Sequence, residues 1–206
     1  MKLRIPGFPF PAELLFPGAV FRISSTEKVL CLTFDDGPHP GSTPGLLRIL
    51  DETGVKAVFF CSGRQAEKYP ELLDAIKKHG HSVGNHGYAH RSGWKTGLKE
   101  YCADVYKASS LTSDTLFRPP YGRILPCQYR RLSKSFTIVL WDIMPFDYDK
   151  KYGAARSSRL LSRNIRPGSV IVLHDTPASS CRSFLSDFIR QSIKRGFRFE
   201  LIPQNI

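Results

Sequence analysis

The chain has 206 residues, enough for one ordinary core that needs no disulfide or metal staple. An apolar fraction of 41% with 23% charged residues is that of a folded globular protein, and it excludes disorder as the dominant state. The formal charge is +12, and between 150 and 206 eleven Lys and Arg face three acids. This raises an anionic partner (nucleic acid, lipid or polymer) against the commoner reading of a solvated basic face.

The N-terminal stretch begins with basic residues, but Pro6, Pro9, Pro11 and Pro17 interrupt any apolar core of a leader. It reads as a Pro-rich arm over 1–26, packed on a single domain over 27–206. A sharper alternative is a peripheral membrane contact through Phe8, Phe10, Leu14, Leu15 and Phe16. With no signal peptide visible, the chain is expected in the cytoplasm or peripherally on a membrane. The five cysteines are widely spaced and form no CxxC, so they read as buried small hydrophobes or free thiols of a reducing compartment.

Candidate strands follow at 29–34, 56–61, 82–84, 115–117, 136–141, 169–173 and 197–202, each rich in β-branched or aromatic residues. Helical spacing predicts helices over 43–53, 65–79, 95–112, 125–134, 153–165 and 181–195. Thr43–Pro44 reads as an N-cap with Pro at the first helical position. His79–Gly80, Gly54 and Gly196 read as helix ends. Alternation of strand and helix predicts an α/β fold with a mostly parallel sheet, whose chemistry sits in loops at the C-terminal strand ends. The polar residues out of pattern fall there: Asp35–Asp36, His86 and His90, Arg118, Asp142 and Asp147, and His174–Asp175.

Two histidines at i and i+4 in "HGYAH" can face one metal, but the position that holds the base in HExxH is Gly87 here. "FDDGP" could supply both a third ligand and a base. A turn into the following helix explains Gly37 and Pro38, though not two acids directly after Phe34. A divalent metal held there would act as a Lewis acid and lower the pKa of its water toward about 7. His174, closing the apolar run of "VLHD", could donate a proton to a leaving group.

In this order, "TFDDGP", "HGYAH", "RPPYG", "WDIMPFDYD" and "VLHD" resemble the five motifs of the polysaccharide deacetylases, the NodB-homology domain of the fourth carbohydrate esterase family. The resemblance runs from Thr33 to Asp175. It implies a distorted, incomplete (β/α) barrel of about seven mostly parallel strands, active at the C-terminal strand ends. It also implies a hydrolase that removes acetyl groups from N-acetylated, or O-acetylated, sugars of a glycan. Asp36, His86 and His90 would hold one divalent metal, zinc foremost, with cobalt or nickel as alternatives. Asp35 would be the base, oriented by Arg118. His174 would be the acid, oriented by Asp147. The Tyr121 backbone N–H would face the oxyanion. Leu173 would line the acetyl pocket, while Pro120, Tyr121, Phe146 and Tyr148 would wall the groove. Two positions depart from the family pattern: Gly87 replaces a Ser or Thr whose hydroxyl braces the metal loop, and Tyr148 replaces a Trp.

A non-haem iron site also uses two His and one carboxylate, but it needs neither an Asp base nor a His acid. No nucleic-acid-binding motif accompanies the charge, so no specific nucleic acid is expected. The partner is an acetylated glycan, with possible attraction to an anionic membrane or polymer, and the chain is expected to be a monomer. The alternative function is a catalytically weak glycan- or anionic-surface-binding protein of the same fold. His81 is expected to donate near the metal loop, and His39 to sit on the rim. Trp94 could be a sugar platform, a core residue or a helix start.

Overall fold

The computed structural model describes residue 7 and residues 12–113 and 115–203. Phe8 and Phe10 of the anticipated membrane contact lie outside the described residues. In chain order the elements are α1 (Ala12–Leu15), β1 (Val29–Asp35), α2 (Thr43–Thr53), β2 (Val58–Cys61), α3 (Gly63–Lys68), α4 (Pro70–Lys78), β3 (Ser82–Asn85) and α5 (Leu98–Ser109). They continue with β4 (Leu116–Phe117), α6 (Pro126–Leu132), β5 (Thr137–Ile138), α7 (Ala154–Asn164), β6 (Ser169–His174), α8 (Leu185–Lys194) and β7 (Arg198–Phe199).

The sheet has the order β5-β4-β3-β2-β1-β6, with β7 also on β1, and every pairing is parallel. It curls into an open half-barrel, as the resemblance implied. β1 is buried along its whole length because it is an interior strand, with β2 and β6 on its flanks. Leu30, Leu32, Phe34 and Phe59 point into the main core, where Leu46, Leu50, Ile76, Leu161, Phe188 and Ile189 of the helices meet them. Each such side chain contributes roughly 1.5–3 kcal/mol by leaving water.

Several predicted elements are shorter than their patterns. The helix expected over 65–79 is two helices broken at Tyr69–Pro70, where Tyr69 takes φ −132° and ψ 59°. A proline ring excludes the α conformation at the residue before it. The strand expected over 136–141 pairs with β4 only at Thr137–Ile138. The Val139 amide still donates to Phe117 of β4, while Val139 also bridges to Val20 of the N-terminal segment and Ile143 to Ile171 of β6. The cap of α2 is Ser42, one residue earlier than expected. The Thr43 hydroxyl instead donates to Asp175 Oδ2 at 2.6 Å and accepts from the His39 amide.

Before β1, Phe16 packs on Tyr129 at 5.1 Å between ring centroids, whereas Leu14 and Leu15 are exposed. His81 sits at the start of β3, away from the strand ends that carry the chemistry. Rather than donating near the metal loop, it accepts the Ala57 amide on Nδ1 at 3.3 Å. Asp142 also leaves the rim: it binds Arg166 and the hydroxyl of Ser169, the first residue of β6.

Candidate active site

Register places the first two groups. β1 and β6 are adjacent and parallel, with Asp35 opposite His174, and the Asp175 amide donates to the Asp35 carbonyl at 2.8 Å. His86 follows β3 directly and its amide donates to Cys61 at the end of β2. Arg118 follows β4 and its amide donates to Asn85 at the end of β3. The sheet therefore brings four chemical groups, separated by up to 139 positions, to one edge of the molecule.

Arg118 is fully buried. Its guanidinium donates to Asp35 Oδ1 at 2.7 Å and to the Thr33 hydroxyl at 2.6 Å, and reaches the Val139 and Leu140 carbonyls. It lies 4.0 Å from the centre of the Phe60 ring. A buried charge satisfied this completely holds its partner in one orientation. Asp35 Oδ1 is thus committed, and Oδ2 lies 3.9 Å from His86 Nε2.

Across the cleft, Asp147 is fully buried and accepts from His174 Nδ1 at 2.9 Å on Oδ1. Its Oδ2 takes the His174 amide and the Ser179 hydroxyl. Burial alone would lower the His174 pKa, but the charge and hydrogen bond of Asp147, with Asp36 and Asp35 further off, raise it to about 9. His174 is therefore an imidazolium at neutral pH.

Asp36 Oδ1 lies 3.6 Å from His86 Nε2 and 3.0 Å from His90 Nε2, and the three donors fall within 4.8 Å of one another. His86 Nδ1 donates to the Arg118 carbonyl at 2.8 Å, which leaves the Nε2 lone pair turned to Asp36. Burial pushes the His86 pKa down to about 4, against the pull of Asp35, so the ring is neutral at pH 7. Burial would raise the Asp36 pKa, but the His90 hydrogen bond and the charges of His86, His174 and His90 hold it well below the usual carboxylate range. Two imidazole nitrogens and one carboxylate oxygen are the donor set of a borderline divalent cation, so these residues fit the metal that the motifs imply.

The loop carrying the histidines is braced by groups that the motifs do not contain. Asp104 of α5 accepts the Tyr88 amide at 2.8 Å and the Ala89 amide at 3.1 Å, and pairs with Arg91. The Asn85 side chain accepts the Gly87 amide at 2.8 Å. Gly87 has φ +72°, and a Cβ there would come within 2.9 Å of Asp104 Oδ2. The missing hydroxyl at 87 is thus matched by a carboxylate brace that leaves no room for it. Gly37 is needed for a similar reason, since a Cβ there would overlap the Asp175 carboxyl.

Among the described residues, four other than glycine have left-handed backbone: Asp36 (φ 78°), His90 (54°), Tyr121 (61°) and Phe146 (60°). Such conformations cost about 1–3 kcal/mol each and persist where the surroundings dictate them. Three of the four line the cleft, and the fourth precedes Asp147.

The cleft has a volume of ≈ 310 Å³ and is lined by Asp35, Asp36, His86, His90, Tyr121, Arg123, Trp141, Met144, Tyr148 and His174. Not every anticipated wall residue is there. Phe146 is buried and packs against Tyr148 and Tyr152, because its backbone turns the ring inward. Leu173 is fully buried in the main core, and Pro120 is buried in the turn behind Tyr121. Trp94 is 63% exposed, which removes the core reading. Thr33, Asn85, Asp104, Arg123, Trp141, Met144 and Ser179 went unassigned from the sequence. Only Asp104 carried a usable signal there, an acid on the apolar stripe between Tyr101 and Ala108.

Comparison with known proteins follows the same lines. The family model described as "Polysaccharide deacetylase" matches residues 22–136. A peptidoglycan-N-acetylglucosamine deacetylase of Bacillus cereus is 35% identical over 84% of this chain and 66% of the relative. A chitooligosaccharide deacetylase of Azorhizobium caulinodans is 32% identical over 77% of this chain and 79% of the relative. The chain spans only 39% of a peptidoglycan-N-acetylmuramic acid deacetylase, PdaC, of Bacillus subtilis, to which it is 30% identical. Among solved structures, the Bc1960 peptidoglycan N-acetylglucosamine deacetylase superposes with a TM-score of 0.87 at 32% identity, over 95% of both chains.

Proposed function

Because the chain belongs to the polysaccharide deacetylase family, we propose that it hydrolyses acetyl groups from N-acetylated sugars of a glycan. The observation that carries this reading is the opposition of Asp35 and His174 in register on adjacent strands, beside the Asp36, His86 and His90 donors. Relatives named for peptidoglycan and chitooligosaccharide deacetylation support the substrate class.

A divalent cation held by Asp36, His86 and His90, zinc foremost, supplies Lewis-acid polarisation of the acetyl carbonyl and an acidified water. Asp35 accepts the proton of the attacking water on Oδ2, because Arg118 occupies Oδ1. The Tyr121 backbone N–H faces the oxygen on which negative charge develops. His174, protonated at neutral pH, gives its Nε2 proton to the departing amine while Asp147 holds Nδ1. Tyr148, edge-on to His174 at 4.8 Å, walls the cleft on the acid side.

The test is acetate release from N-acetylated and O-acetylated oligosaccharides by metal-stripped protein, with zinc, cobalt or nickel restored. Metal-dependent release from N-acetylated sugars is the expected result. Tight metal binding with no release from any substrate would favour the glycan-binding alternative.

A further inference from the structure

From the edge of the reaction cleft runs a strip of side chains to which the chemistry above assigns no step. Tyr121 meets His90 edge-on, with ring centroids 4.6 Å apart. Next along the strip stands Arg123, its guanidinium carbon 5.7 Å from the centre of the Tyr121 ring and 5.0 Å from that of Trp94. Both rings face solvent, Tyr121 being 59% exposed and Trp94 63%. Arg123 lines the cleft. Among the described residues, ion pairs engage Arg91, Arg118, Arg166 and Arg198, but none engages Arg123.

The strip is held in place from beneath. The Gly93 amide donates to the Arg123 carbonyl at 3.0 Å, which ties the turn of Trp94 to the turn of Arg123. The fully buried Gln128 donates to the Gly93 and Thr96 carbonyls at 3.0 and 2.9 Å and accepts the Leu125 amide. A buried amide with three bonds fixes both turns, so the backbone that carries Trp94 and Arg123 side by side is set before any ligand arrives.

Exposed aromatic rings offer apolar faces for sugar rings to lie on, and a guanidinium is a planar fork that matches a carboxylate. The net charge of +12 favours the approach of an anion. We infer that Trp94, Arg123 and the outer face of Tyr121 form a subsite for a carboxylate-bearing sugar next to the acetylated sugar in the cleft. The inference deepens the proposed function and rests on its glycan substrate: the preferred glycan is acidic, with carboxylates on rings adjacent to those that lose acetate.

Binding separates this inference from the deacetylase reading. Calorimetry on the zinc-loaded full chain carrying Asp35→Asn would compare an N-acetylated tetrasaccharide bearing free carboxylates on alternate rings with its methyl ester. The acid should bind about tenfold tighter than the ester. Arg123→Ala should collapse that difference to about twofold or less, and Arg123→Lys should leave part of it, a point charge without the fork. Trp94→Ala should weaken both ligands. Equal binding of acid and ester, no binding of either, or an equal loss of both in Arg123→Ala would overturn the subsite. If discrimination is intact but the unsubstituted chain releases no acetate from either ligand, the subsite stands and the deacetylase reading falls.

Discussion

On the floor of the cleft, Arg118 directly after β4 and Asp147 in the loop between β5 and α7 are fully buried and tied to Asp35 and His174 by short charge-assisted bonds. On the rim, Tyr121, Arg123, Trp94 and Tyr148 stand on turns with much of their surface in solvent. The floor spends burial to orient Asp35 and to keep His174 protonated, and a change there alters the reaction. The rim sets shape and charge, and a change there alters which glycan is held. Between them lies the histidine loop, one ligand buried and one half-exposed, with its brace in α5.

The largest break should come from Asp35→Asn, which keeps an acceptor for Arg118 but loses the base. Acetate release should fall by at least about a thousandfold, measured beside unchanged thermal unfolding. A loss under tenfold would move the base elsewhere. Arg118→Met should leave Asp35 as a buried, unpaired carboxylate and cost about 3–5 kcal/mol in denaturant unfolding. A cost below 1 kcal/mol would mean that the pair is not the keystone of the floor.

The loop between floor and rim should respond less. Asp104→Ala frees two loop amides and should weaken zinc affinity about tenfold in a chelator competition, without needing a turnover assay. Gly87→Ser should destabilise the fold by about 1–2 kcal/mol through its left-handed backbone. It should do less harm when Asp104→Ala has removed the nearby carboxylate. Unaltered zinc affinity in Asp104→Ala would leave Asn85 as the brace. The smallest effect belongs to the rim, where Tyr148→Phe should change KM more than kcat; the opposite split would bring Tyr148 down to the floor.

The sheet and its chemical edge were legible in the sequence because β-branched runs alternate with helical spacing, and the out-of-pattern polar residues end those runs. Asp35, Asp36, His86, His90, Arg118, Asp147 and His174 announce themselves in this way. Pairing by distant chain was not legible: nothing local to 139–143 says that Val20 and β6 will pair with it. The break at Tyr69–Pro70 was legible and outweighed by apolar spacing that continues across it. Phe146 and Leu173 illustrate another limit. Sequence places them beside Asp147 and His174, but adjacent residues on a strand or tight turn point in different directions, and both side chains enter the core. Arg123 and Trp94 gain meaning only once Gln128 joins their turns.

The account centres on a floor in which Asp147 keeps His174 protonated opposite Asp35, and the pH dependence of kcat tests this most directly. In the unsubstituted chain the alkaline limb should follow His174 near its raised pKa of about 9. Asp147 raises that pKa, so Asp147→Asn must lower it, and activity should then disappear at lower pH as the proton is lost sooner. An alkaline limb that stays in place in Asp147→Asn would contradict the assignment of His174 as the acid.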